Sequence, residues 1–146
     1  MNLAFGCVVI LDQKILLVRE ESEKHKQLEN WNIVSGKVDS KEFIFDIAIK
    51  REIKEETGIK VDMKGVIAIY ESITPVDRAV YFVVGCEALS KDIVIGDSDV
   101  KEAKFFELEK FWKMTEKELV HEDMKLVTRN FLDGKYIDIV KSVRYG

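Results

Sequence analysis

The sequence predicts an α/β fold in which a mixed β-sheet lies between helices. Three observations carry this. Val- and Ile-rich runs of strand length recur along the chain. Two long segments place apolar residues at three- and four-residue steps, the period of a helix. The order is strands, one helix, strands, one helix, so helices are too few to alternate with every strand as a doubly wound parallel fold requires.

The elements follow in order. Leu3 to Leu11 reads as a strand, Asp12-Gln13-Lys14 as a polar turn, and Ile15 to Val18 as the second arm of a hairpin. Glu20 to Glu29 is polar without period and reads as a loop; Trp31 to Val34 is a short extended piece running up to Gly36. Asp39 to Thr57 reads as a helix. Asp39 and Glu42 have capping-box spacing, Phe45, Ala48, Ile49 and Ile53 form the stripe, and Gly58 suits the left-handed stop. Val61 to Glu71 and Ala79 to Ala88 read as strands around a turn at Thr74-Pro75-Val76-Asp77. Asp92 to Asp99 is a loop or short strand, Ala103 to Phe106 a strand, and Glu109 to Met114 a short helix. Thr115 to Leu132 reads as a second long helix, with Leu119, Met124, Val127 and Phe131 as its stripe and Thr115 with Glu118 as a capping box.

The 146 residues suit one domain over 1–146, with a core over about 3–132 and a tail over 133–146. With 47% hydrophobic and 34% charged residues, the composition is globular. A net charge of −4 argues against duplex nucleic acid or an anionic membrane as partner, and a polyanionic substrate would need cations brought in. No apolar run reaches the roughly 18 residues of a membrane span. The N-terminus lacks the basic start and apolar core of a signal peptide. Cys7 and Cys86 are too few for a disulfide framework and read as buried free thiols of a cytoplasmic protein.

The chemistry concentrates at the end of the first helix. Glu52, Glu55 and Glu56 fall at i, i+3 and i+4, which puts three carboxylates on one face with neighbouring Cβ atoms about 5–6 Å apart. Like charges that close repel, so the face is either solvated and relieved by pairs such as Arg51 with Glu55, or it holds a cation. A hard divalent cation takes oxygen ligands and is commonly shared between carboxylates and substrate phosphates.

Gly36, Glu42, Arg51, Glu52, Ile53, Glu55, Glu56, Gly58 and Ile59 together resemble the signature of the Nudix hydrolases. That signature is Gly, five residues, Glu, seven residues, then Arg-Glu-aliphatic-any-Glu-Glu-any-Gly-aliphatic. Arg51 to Ile59 matches at every specified position, and Gly36 to Glu42 keeps its spacing. Eight residues separate Glu42 from Arg51, one more than the pattern. One extra helical residue turns what precedes it by about 100°. Glu42 therefore either faces the metals, with the insertion absorbed at the helix start, or caps the helix.

The resemblance implies the Nudix α/β/α sandwich and an activity. The activity is hydrolysis of a nucleoside diphosphate linked to another group, a nucleoside triphosphate or a nucleotide-sugar such as ADP-ribose, by water attack at phosphorus with Mg2+ or Mn2+. The alternative is a catalytically weak nucleotide-binding or sensor domain on the same fold. The resemblance makes Glu55 and Glu56 metal ligands, Glu52 a ligand or the general base, and Arg51 the residue that orients Glu52 or Glu55. Ser35 stands where the family has a second glycine and lends a backbone carbonyl to a metal. A further acid is expected from Asp97, Asp99 or Glu102, with Asp99 at the family's spacing, six residues before Phe105. For the substrate, Lys37 and Arg19 are candidates at phosphate or ribose, and Tyr70, with Phe5 and Tyr81, at the base. His25 and His121 lack metal-ligand spacing and read as surface residues. Pro75 lies near the place of a proline in ADP-ribose-type members and also suits a plain turn. The expected partner is a small nucleotide, and family members are often homodimers.

Overall fold

The structure, a computed structural model, describes residues 2–20, 30–38, 41 and 47–139. At its centre β1 (Asn2–Leu11) and β5 (Arg78–Ala88) run parallel, with Phe5 opposite Phe82 and Val9 opposite Cys86. Phe5 to Ile10 are buried without a break, as a parallel strand covered on both faces requires. β2 (Lys14–Glu20) folds back from β1 through a turn in which Asp12 takes a left-handed φ of 53°. Asp tolerates that conformation better than most side chains. β6 (Val100–Glu107) pairs with β2, and β4 (Val61–Ile73) pairs antiparallel with β5. β3 (Val34–Lys37) lies along the first half of β1, with Gly36 opposite Phe5 and Ser35 opposite Gly6. β7 (Ile137–Asp138) adds to β4, completing a seven-stranded mixed sheet among the described residues.

Alternation along the strands builds two cores. Phe5, Cys7, Val9, Leu16, Val18, Val84 and Cys86 face α1 (Ile49–Thr57), which meets them with Ile49 and Ile53. Val8, Ile10, Ile15, Leu17 and Val83 face the other way, toward α2 (Leu108–Trp112) and α3 (Asp123–Leu132). Those helices contribute Phe111, Met124, Val127 and Phe131. The sheet between helices expected from the order of elements is therefore the observed architecture. Cys7 and Cys86 are free and buried. Among the described residues no helix is long and apolar enough to cross a membrane.

The second long helix is shorter than its periodicity predicts. It begins at Asp123, not Thr115. The backbone of residues 118–120 is taken by Trp31: Trp31 N–H donates to the Glu118 carbonyl (2.7 Å) and Val120 N–H to the Trp31 carbonyl (2.9 Å). A chain that bonds sideways cannot also bond along a helix. The Thr115–Glu118 pair does form, with Thr115 N–H and Oγ1 both on Glu118 Oε1, but it closes a turn. Ahead of α1, Ile47 and Ala48 lie in a π-helical turn. Such a turn is the form in which a helix accommodates one extra residue. Glu42, Asp39, Phe45 and His25 lie outside the described residues.

Candidate active site

The acidic face of α1 is built by what closes the helix. Gly58 takes φ 76° and donates its N–H to the Lys54 carbonyl. The next free carbonyls are satisfied from a distant segment: Val94 N–H donates to Thr57 (2.9 Å) and Gly96 N–H to Glu55 (3.0 Å). A Cβ on Gly96 would stand 2.9 Å from the Glu55 carbonyl oxygen, so glycine permits the approach. Asp97 follows directly, which brings its charge to bear on Glu52 and Glu56. The sequence favoured Asp99 for this position. Asp99 instead turns its N–H onto Asp97 Oδ1 (2.9 Å), and Glu102 is engaged by Arg19 (2.7 Å). Of the three loop acids, Asp97 is the one that burdens Glu52 and Glu56.

Arg51 joins the first two glutamates. Its Nη1 donates to Glu52 Oε1 (3.1 Å) and to Glu55 Oε2 (3.2 Å). Glu52 is the more enclosed of the two carboxylates, and burial raises its proton affinity against the lowering effect of Arg51. Gly36 lies against it from β3: a Cβ there would be 3.0 Å from Glu52 Cγ and Cδ.

Glu56 is the odd residue of the set. It is buried, and one carboxyl oxygen has no hydrogen-bond partner. Burial first, then the charges of Glu20 and Glu52 and a hydrogen bond with Glu20, push its carboxyl up to about 9. Glu20 comes from the end of β2, where a register shift between Arg19 and Glu20 interrupts the pairing with β6. Nothing in the sequence marked it. Among the described residues no three acidic, His or Cys side chains are gathered as a ready-made ligand set. The donors are all oxygens, however, and a buried, incompletely bonded carboxyl pressed by further acids is the chemistry that a hard divalent cation relieves.

On the other face of the sheet lies a cavity of about 540 Å3. Tyr70 and Tyr81 form an aromatic wall, their rings edge-on with centroids 6.5 Å apart. Asn32, Ser35, Ser72, His121 and Asp123 add polar groups, and Val83, Met124 and Val127 an apolar floor. Of the substrate residues expected from sequence, Tyr70 and Tyr81 line this cavity. Lys37 ends β3 and is exposed. Arg19 does not line it: its guanidinium pairs with Glu102 and lies over the Trp31 ring at 4.9 Å, while its Nε is buried without a partner. Phe5 is fully buried in the α1-side core. His121 borders the cavity, a placement its isolated position in the sequence did not signal.

β3 links the two features. Ser35 lines the cavity and Gly36, the next residue, touches Glu52. A cavity, a helix of carboxylates and a strand spanning them on an α/β/α sandwich make a candidate small-ligand site joined to an acidic face. Residues 1–131 match the NUDIX domain model, and the chain belongs to the Nudix family. It is 30% identical over 109 residues to ADP-ribose pyrophosphatase of Methanocaldococcus jannaschii, which is 73% of this chain and 62% of that relative. It is 31% identical over 101 residues to Nudix hydrolase 5 of Arabidopsis thaliana, covering 67% of this chain and 33% of that one. The match thus spans less than two thirds of either relative. A NUDIX hydrolase from Nitrosomonas europaea superposes with a TM-score of 0.78 over 97% of both chains at 19% identity. The NUDIX domain of Shewanella oneidensis NrtR, complexed with ADP ribose, superposes at 0.69 over 90% of this chain and 86% of that one, at 18% identity. At those identities the likeness is one of fold.

Proposed function

We propose that the chain is a pyrophosphohydrolase dependent on Mg2+ or Mn2+, cleaving the diphosphate of a nucleoside diphosphate linked to another group. The observation that carries this is Glu56, a buried carboxyl with one unpartnered oxygen, pressed by Glu20, Glu52 and Asp97 on the motif-bearing helix. Glu56 and Glu55 are the ligands proposed, with Asp97 as the loop acid and the Ser35 carbonyl as a neutral oxygen beside Gly36. When bound, the cation neutralises the diphosphate and makes a coordinated water more acidic.

The chain's own residues supply the rest. Arg51 occupies one oxygen on each of Glu52 and Glu55, fixing both carboxylates and leaving their second oxygens for ligand or water. Glu52, its proton affinity raised by burial, is the group we assign to take the proton of the attacking water. Lys37, exposed at the end of β3, is the residue we assign to the phosphate oxygens. Arg19 serves Trp31 and Glu102, and we give it a positioning role. Two buried free thiols fit a reducing compartment such as the cytoplasm. The outer edge of β4 beyond Val66 pairs with no strand among the described residues, and it is where the expected homodimer would form.

The test is turnover of ADP-ribose, NADH, dinucleoside polyphosphates and nucleoside triphosphates with Mg2+ or Mn2+, beside Glu56→Gln. Metal-dependent hydrolysis that Glu56→Gln abolishes, with the fold intact by circular dichroism, supports the proposal. Full activity in that variant overturns it, and nucleotide binding without turnover at any metal level favours the sensor reading.

A further inference from the structure

One residue of β2 breaks the pattern of its own strand. Leu16 and Val18 point into the α1-side core, and Glu20 is the next residue of that row. The pairing with β6 carries the same face along: Val18 lies opposite Ala103 and Glu20 opposite Val100, both on the α1 side. The row therefore continues under α1 with a carboxylate where an apolar side chain would pack. What it meets there is Glu56, which is 5% exposed and shares a hydrogen bond with Glu20.

Two carboxyl groups brought together away from water are a costly arrangement. The hydrogen bond between them does not satisfy the pair, because one Glu56 oxygen has no partner among the described residues. The arginines close in sequence are engaged with other acids: Arg51 bonds Glu52 and Glu55, and Arg19 bonds Glu102. The loop acid is anchored at the same place. Val100, the cross-strand neighbour of Glu20, donates its N–H to the Asp97 carbonyl (3.2 Å), and the charges of Glu20 and Asp97 both act on Glu56.

We propose that Glu20 is a ligand of the divalent cation, so that the cation taken by Glu56 is clamped between β2 and α1. This rests on the metal-dependent reading above. Glu20 lies outside the stretch from Gly36 to Ile59 that carries the sequence motif. The motif carboxylates approach from the helix and Asp97 from the loop that covers its end; Glu20 approaches from the sheet beneath. A hard divalent cation turns two repelling acceptors into shared ligands and engages the Glu56 oxygen that the chain leaves unbonded.

The experiment compares wild type, Glu20→Leu, Glu20→Gln and Glu56→Gln by Mn2+ calorimetry, by Eu3+ luminescence lifetimes in H2O and D2O, and by melting without metal. The lifetimes count the waters left on the bound ion, which a charge acting from a distance does not change. Glu20→Leu completes the apolar row, so its metal-free melting temperature should equal or exceed that of wild type. It should nevertheless bind Mn2+ at least about tenfold more weakly, the scale on which even outer partners of a metal matter. Bound Eu3+ should carry about one more water. Glu20→Gln keeps the shape without the charge and should lose Mn2+ affinity in the same direction. Wild-type affinity in both Glu20 variants, or an unchanged water count in Glu20→Leu, overturns the assignment. If Glu56→Gln loses Mn2+ and the Glu20 variants do not, only the role of Glu20 falls. If Glu56→Gln also binds Mn2+ as wild type does, the cation reading itself falls.

Discussion

Gly36 of β3 lies flush against the side chain of Glu52, so that a Cβ on Gly36 would stand 3.0 Å from both Glu52 Cγ and Cδ, and 3.2 Å from Phe5 Cζ. The glycine of the sequence motif is here a spacing device. Gly36→Ala should push the Glu52 carboxylate aside. We expect kcat to fall about 10- to 100-fold, as small misplacements of a catalytic group do. Stability should drop by about 1–3 kcal/mol, the usual cost of overpacking. Activity and melting temperature measured on the same preparation check this; unchanged kcat would remove Gly36 from the site.

Glu56 makes the metal-free protein sensitive to alkali. Its folded value of about 9 exceeds the ordinary 4.5. Between those values the unfolded chain has released a proton that the folded chain keeps, so stability falls as pH rises. The melting temperature without metal should decline from about pH 5 to about pH 8.5, and Glu56→Gln should flatten the decline. Calorimetry in two buffers of different ionisation enthalpy should show a proton released when Mn2+ binds near pH 7, absent in Glu56→Gln. Equal pH slopes in the two proteins would contradict the buried protonated carboxyl.

Arg51 should matter to rate far more than to stability. Its pairs with Glu52 and Glu55 are partly exposed, and such pairs contribute at most about 1 kcal/mol. Arg51→Ala should leave the melting temperature nearly unchanged and lower kcat about 10- to 100-fold by releasing both carboxylates. Arg51→Lys keeps the charge but loses the rigid planar guanidinium whose Nη1 meets both carboxylates, and should recover little.

Gly58 and Gly96 should separate folding from site geometry. Gly58 is left-handed, and a Cβ there would lie 2.8 Å from the Val94 nitrogen and 2.9 Å from its oxygen. Gly58→Ala should destabilise by at least about 2 kcal/mol, a combination of conformational strain and collision. Gly96→Ala meets only the Glu55 carbonyl, and it should lower Mn2+ affinity by shifting Asp97, with a smaller fall in melting temperature. Equal melting losses with unchanged Mn2+ affinity would detach Asp97 from the cation face.

Much of this was legible in the chain. The spacing of Glu52, Glu55 and Glu56, the stripe of Ile49 and Ile53, and the stop at Gly58 are local features, and a helix converts local spacing into a face without help from elsewhere. The hairpin of β1 and β2 and the turn at residues 74–77 read correctly for the same reason. The second long helix did not, because the backbone near Leu119 is claimed by Trp31, 88 positions earlier in the sequence. Helical periodicity cannot show that its hydrogen bonds are spent elsewhere.

The sequence by itself determined the family, the two-layered cover of the sheet and the three carboxylates on one helix face. These depend on period and spacing over a few turns. Only the tertiary structure decided that Asp97 rather than Asp99 bears on those carboxylates, that Glu20 meets Glu56, and that Asn32 and Asp123 flank one cavity. Those residues carry no local signature. Their meeting is set by hydrogen bonds between distant backbones: Gly96 on Glu55, Trp31 on Glu118, and Asn32 on Val18.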